Sequence, residues 1–192
     1  RWLDECTFVT GDEKPGKVWA VHRFDPVTDT FQEVDHSLRE ASLSEFERYV
    51  DNAEAAHRDR PVQSHAIPPK FVGKVPPCRA VAGGTGLAVP YRPARWLEVL
   101  AERPDLIVRL LDLQVESARS GATAAARQGI RYMNGGGDFC HNGGPMYSPK
   151  VFRDLMLPRL QEIVRACNEH GLWYVWRTDG WTWPVAEDLF RG

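Results

Sequence analysis

Three stretches of this chain concentrate residues able to do chemistry. The densest is Asn134-Gly-Gly-Gly-Asp-Phe-Cys-His-Asn-Gly-Gly. Its glycines let a backbone approach a ligand closely, and Asp138, Cys140, His141 and Asn142 add polar groups. The pattern is not a phosphate loop of the GxGxxG or Walker type. Cys140 and His141 are neighbours in sequence, a poor geometry for two ligands on one metal. A structural role is the simpler reading of that pair, and no metal ligand is assigned. Asp138 has two readings: it faces a ligand, or it caps the loop by accepting from nearby backbone N–H groups.

The second stretch is Arg177-Thr178-Asp179-Gly180. Trp173, Trp176, Trp181 and Trp183 surround it, four of the seven tryptophans in the chain. An arginine beside aromatic rings can stack on them and grip a carboxylate with two N–H groups. A flat, acidic, aromatic ligand suits such a wall. The plainer alternative is that Trp173 and Trp176 pack under a helix and Arg177 pairs with Asp179. The third stretch starts at Gly83-Gly84-Thr85-Gly86 and ends at Tyr91. The Tyr91 hydroxyl either donates to a reacting group or packs with its OH tied to backbone. No GxSxG elbow, HExxH or nucleophilic cysteine signature is present. Spacing alone names no reaction.

The elements that must position these loops alternate. Arg79–Ala82 reads as a strand, followed by a short helix at Ala94–Ala101 and a long one at Asp105–Gln128, which Gly129 ends. Ile130–Asn134 is the next strand. Ser148-Pro149 opens another helix, with Ser at the N-cap and Pro at the first helical position. Pro158 interrupts its apolar face and predicts a kink or two abutting helices. Gly171 ends it, Leu172–Trp176 is a strand, and Pro184–Phe190 is helical. Strands alternating with helices mean parallel strands with crossovers, in a doubly wound sheet or a (β/α)8 barrel. In either, ligands bind beyond the carboxyl ends of the strands, where all three loops lie.

Residues 1–41 read as polar and turn-rich, with short strands at Lys17–His22 and Thr30–Val34. Ser42–His57 reads as a capped helix, and Pro61–Ile67 as a strand before a proline-rich loop. The 192 residues suit one domain, 1–192. They carry 43% hydrophobic residues, enough for a core, and a net charge of -2. That charge offers no basic field for nucleic acid, and no apolar run approaches the ~18 residues that span a membrane. Four dispersed cysteines with no CxxC pair read as reduced thiols in a cytoplasmic protein. The start at Arg1 and the end at Gly192 read as cut, so the domain is expected to be incomplete at both ends.

Residues 79–192 resemble the uroporphyrinogen decarboxylase superfamily, while 1–78 look divergent. The resemblance is carried by Asp138, Gly143-Gly144-Pro145, Ser148-Pro149, Phe152, Leu157-Pro158 and Asp179-Gly180, in order and at the right intervals, with Arg103-Pro104-Asp105 before the long helix. It implies an α/β fold, a partial (β/α)8 TIM barrel. It also implies one of two chemistries. Uroporphyrinogen decarboxylases remove acetate-arm carboxyls from a porphyrinogen with no metal or organic cofactor. Corrinoid-linked methyltransferases use zinc to activate a thiol and partner a corrinoid protein. The decarboxylase's arginine-rich motif and early aspartate have no equivalent here. Its active-site tyrosine, counted without gaps from Ala82-Gly83, falls on Tyr91. Where methyltransferase-like members carry His-x-Cys-Gly-Asn, this chain has Arg177-Thr178-Asp179-Gly180-Trp181, which argues against their zinc site.

The expectation is therefore a decarboxylase-like enzyme acting on a polycarboxylated tetrapyrrole or a relative, without a cofactor. Tyr91, Asp138 and Asp179 are its expected catalytic residues. Arg177, His141, Trp176 and Trp181 are expected to bind substrate. The first alternative is a corrinoid-linked, zinc-type methyltransferase. The second is a non-catalytic domain that binds a tetrapyrrole or a corrinoid protein.

Overall fold

The computed structural model describes residues 1–12, 17–59, 82–84 and 86–191. The expected strand at Pro61–Ile67 and the proline-rich loop after it lie outside the described residues.

The amino-terminal part forms an antiparallel sheet in which sequence neighbours pair: β1 (Trp2–Asp4), β2 (Thr7–Gly11), β3 (Trp19–Asp25) and β4 (Thr30–His36). The first eleven residues were expected to be turn-rich and instead supply two strands. Aromatic side chains explain this. Trp2 and Phe8 lie on one face of the sheet with their rings 5.0 Å apart, and Phe31 of β4 joins Phe8 at 5.0 Å. Cross-strand aromatic contacts of this kind stabilise a ladder of otherwise weak strands. The β3–β4 turn is held by Asp25, which accepts from the Val27 N–H and the Thr28 hydroxyl, each at 2.9 Å.

Helix α1 (Leu43–Asp59) buries Phe46 and Val50. Its start is half of a capping box: the Glu45 carboxylate reaches back to accept from the Ser42 N–H at 2.9 Å. That bond holds the Glu45 carboxyl below the usual carboxylate range. Three acidic side chains of α1 meet arginines of the second half. Arg109 donates to Glu54 and Asp51 at 2.7 Å, and Arg103 donates to Glu47 at 3.2 Å.

The second half is a parallel three-stranded sheet in the order β5 (Ala82–Gly84), β6 (Tyr132–Gly136), β9 (Trp173–Arg177). Between β6 and β9 lies the small hairpin β7 (Cys140–His141) and β8 (Gly144–Pro145). Helices α2 (Arg95–Glu102) and α3 (Pro104–Arg127) connect β5 to β6. The second connection contains α4 (Pro149–Val151), a π-helical turn at Phe152–Met156 and α5 (Leu157–Glu169), and α6 (Trp183–Arg191) follows β9. Ser148 caps α4 as expected, its hydroxyl accepting from the Val151 N–H at 3.2 Å. The break at Pro158 takes the form of that π turn. Leu157 bonds back five residues to the Phe152 carbonyl, just before a proline that has no N–H to donate.

The core sits on one face of the parallel sheet. Met133 is fully buried there among α3 and α5 residues such as Leu111, Ala122 and Ile163. Among the described residues nothing covers the opposite face. Along β6 and β9 exposure alternates, and Tyr132, Trp173 and Val175 are 40%, 71% and 51% exposed. The strand order follows the chain without reversal, and both helical connections pack on the same side. Among the described residues no helix is long and apolar enough to cross a membrane.

Candidate active site at the carboxyl ends of the parallel strands

Parallel pairing aligns Gly84 with Asn134 and Gly136 with Arg177. The loops after the three strands therefore leave from one edge of the sheet. The first is anchored from below. The Gln114 side-chain amide of α3 accepts from the Ala88 N–H at 2.8 Å and donates to the Ala88 carbonyl at 3.1 Å. Leu87 and Val89 are buried on either side. Tyr91 lies beyond this anchor, half-buried, with the Arg92 guanidinium 5.3 Å from its ring centre.

The second and third loops are locked to each other. The Trp181 N–H donates to the His141 carbonyl at 3.0 Å. Gly180, at φ +84°, lies so close to β7 that a Cβ there would stand 2.7 Å from the Cys140 carbonyl carbon. Gly136, at φ +99°, similarly leaves room for the Arg177 backbone. These glycines thus serve approach of chain to chain. Asp179, Gly180, Trp181, Cys140 and His141 form one unit at the sheet edge.

Within that unit the polar residues differ in engagement. His141 is exposed, and its Nδ1 accepts from the Gly143 N–H at 3.0 Å. Asp138 and Asp179 are exposed and make no side-chain hydrogen bond among the described residues, so Asp138 does not cap its loop. Arg177 is exposed at the end of β9 with no ion pair or side-chain hydrogen bond among the described residues. The expected plain pairing of Arg177 with Asp179 does not form.

Trp176 stands apart from this group. Neighbouring residues of a strand point to opposite faces, so Trp176 turns toward the core while Arg177 faces the open side. The Trp176 ring stacks on Phe139 at 5.3 Å, and Phe139 in turn stacks on Phe152 at 5.3 Å and Tyr147 at 6.0 Å. This stack fastens the second loop to β9 and to the π turn. Trp176 is thus a packing residue that seats the loops, and it forms no wall beside Arg177.

No family model, curated protein or solved structure matches this chain.

The four-ring stack was not legible as a site, although Phe139 lies within the glycine-rich loop and Tyr147 and Phe152 follow it in sequence. Two of its members hold buried polar atoms without a partner among the described residues: the Tyr147 hydroxyl and the Trp176 Nε1. Such a group costs about 1–3 kcal/mol when no acceptor reaches it. Burial raises the Tyr147 hydroxyl well above its ordinary value, and the neighbouring Cys140 adds to the shift. Burial also raises the Cys140 thiol.

The zinc that the methyltransferase alternative requires does not fit these residues. Cys140 is 4% exposed, with its side chain in the core, whereas His141 is exposed and its Nδ1 is already bonded. Adjacent strand residues cannot turn both donors toward one ion. Among the described residues no group of three or more His, Cys, Asp or Glu side chains could hold a metal ion.

Proposed function

We propose that this chain is a uroporphyrinogen decarboxylase-like enzyme, built on part of a (β/α)8 barrel, that removes a carboxyl from a polycarboxylated tetrapyrrole or a related acidic substrate. The observation that carries the reading is Arg177, a guanidinium without a counter-ion among the described residues, at the carboxyl end of a parallel strand. Sites in parallel α/β folds form at that end. A free guanidinium there suits a carboxylate, which it can hold by two parallel N–H···O bonds.

The barrel part of the proposal draws support from the sheet. Parallel sheets occur almost only with both faces covered. Here helices cover one face, and Tyr132, Trp173 and Val175 leave the other open. A barrel wall has helices outside and side chains meeting inside, and the open face then corresponds to the inside.

In the proposed reaction Arg177 holds a substrate carboxylate, with His141 and Trp181 alongside. Tyr91 hydrogen-bonds the reacting group. The carbon–carbon bond to one acetate carboxyl breaks, CO2 leaves, and the bonding pair passes to the ring-bearing carbon, which then takes a proton. A pyrrole protonated from solvent is the electron sink and gives that proton back afterwards, and Asp138 and Asp179 stabilise its cationic form. The test is anaerobic incubation with uroporphyrinogen and chromatographic separation of the products by carboxyl number. Products with fewer carboxyls support the enzyme. Binding of the oxidised porphyrin without any turnover assigns the chain to a binding module instead.

A further inference from the structure

Helix α1 sorts its side chains by face. Glu47, Asp51 and Glu54 turn to α3 and are taken up by Arg103 and Arg109. Glu45, Arg48, Tyr49, Asn52 and Ala53 follow one another at helical spacing along a second face. Together with Lys17, Val18, Ser37 and Leu38 of the antiparallel sheet and its exit, that face encloses a cleft of about 320 Å³. Sites for small molecules start at about this size.

The cleft is apolar below and cationic at its rim. Leu38 is 6% exposed, and Val18, Ala53 and the Tyr49 ring are half-buried against the core. At the rim Lys17 has no ion pair among the described residues. The ionic neighbour of Arg48 is Glu45, at 3.8 Å, which is too long for a hydrogen bond. The Glu45 carboxylate is already engaged, accepting from both the N–H and the hydroxyl of Ser42 at 2.9 Å. Two cations thus stand over an apolar floor without a hydrogen-bonded counter-ion. The side chains of Tyr49 and Asn52 line the same cleft and have no hydrogen bond among the described residues.

We propose that this cleft binds a small organic anion. Its acid group lies between Lys17 and Arg48, and an apolar body of about one ring rests on Leu38, Val18 and Ala53. Asn52 and the Tyr49 hydroxyl supply neutral hydrogen bonds that orient it. The site shares no residue with the Arg177 group and does not rest on the decarboxylase proposal.

The test is a titration of the full chain with phenyl phosphate, read from the backbone amides of Val18, Leu38 and Asn52 by two-dimensional NMR. Saturable shifts at these amides are expected. Inorganic phosphate and benzyl alcohol, each lacking one half of the ligand, should bind about tenfold more weakly or worse. The K17Q/R48Q double variant should lose about tenfold or more, and Arg48→Lys should recover part of it, with binding weakening as salt rises. Both side chains sit at the rim, and the melting temperature of the variants checks that the fold persists. Arg177→Ala should leave this binding unchanged. The proposal is overturned if no amide of the cleft shifts saturably. It is equally overturned if the double variant binds as tightly as the parent, or if inorganic phosphate binds as well as phenyl phosphate.

Discussion

The Trp181 N–H donates to the His141 carbonyl at 3.0 Å, and this bond ties the loop after β9 to the hairpin within the loop after β6. Beside it Gly180 presses on the Cys140 backbone. The two loops that carry most of the proposed substrate contacts are therefore joined backbone to backbone.

Gly180→Ala should break that junction. A Cβ would stand 2.7 Å from the Cys140 carbonyl carbon and would force a side chain onto φ +84°. A clash with backbone cannot be relieved by a rotamer change. The expected loss is about 1–3 kcal/mol, measured as a lower urea midpoint at unchanged m-value. A variant as stable as the parent would show that the loops do not approach this closely.

The ring stack should be worth more than any single loop contact. Phe152 is fully buried and its ring lies 5.3 Å from Phe139. Phe152→Ala should cost about 3–5 kcal/mol. Tryptophan fluorescence should shift as well, because Trp176 lies within the same stack. A loss below about 1 kcal/mol would place Phe152 outside the core.

Much of the fold was legible because its signals are local. The Ser148 cap, the break at Pro158, and the positive φ of Gly129 and Gly171 after α3 and α5 each depend on a few adjacent residues. β1 and β2 were missed because aromatic partners from β4 make them strands, and no short window contains those partners. The salt bridges from α1 to Arg109 join positions 55 and 58 residues apart. For the site, the strand-end loops could be chosen from the alternation of strands and helices. The direction of Trp176 could not, since it depends on which face of β9 receives α5.

Thiol reactivity should follow burial. Cys6 is exposed, while Cys140 and Cys167 are buried and burial raises both thiols. Brief alkylation of the native protein followed by peptide mapping should label Cys6 before Cys140 and Cys167. Cys140 and Cys167 should react only as the chain unfolds. Rapid labelling of Cys140 in the native state would contradict the stacked loop.

Stability should fall at both ends of the pH range, for opposite reasons. The Glu45 carboxyl is held low by its bond from the Ser42 N–H. Its contribution is present above the unfolded value, near 4.3, and fades as pH drops through the lower folded value. The Tyr147 hydroxyl is raised by burial. Its neutral form is matched in both states below about pH 10, and stability is lost as pH rises from there toward the higher folded value. Denaturation midpoints for the parent, Glu45→Gln and Tyr147→Phe locate the two effects. Glu45→Gln should make the acid side shallower, with the lowered carboxyls of Asp25, Glu54 and Asp105 keeping the rest of the slope, and Tyr147→Phe should make the alkaline side shallower.

The central claim is that Arg177 grips a substrate carboxylate. Its most direct test is an absorbance titration of the full chain with uroporphyrin, comparing the parent with Arg177→Ala. The side chain is exposed and makes no ion pair among the described residues, so the variant should keep its melting temperature. A charge-assisted, two-point contact predicts that affinity falls about tenfold or more. Equal affinity in the two proteins would contradict the account and remove Arg177 from the site.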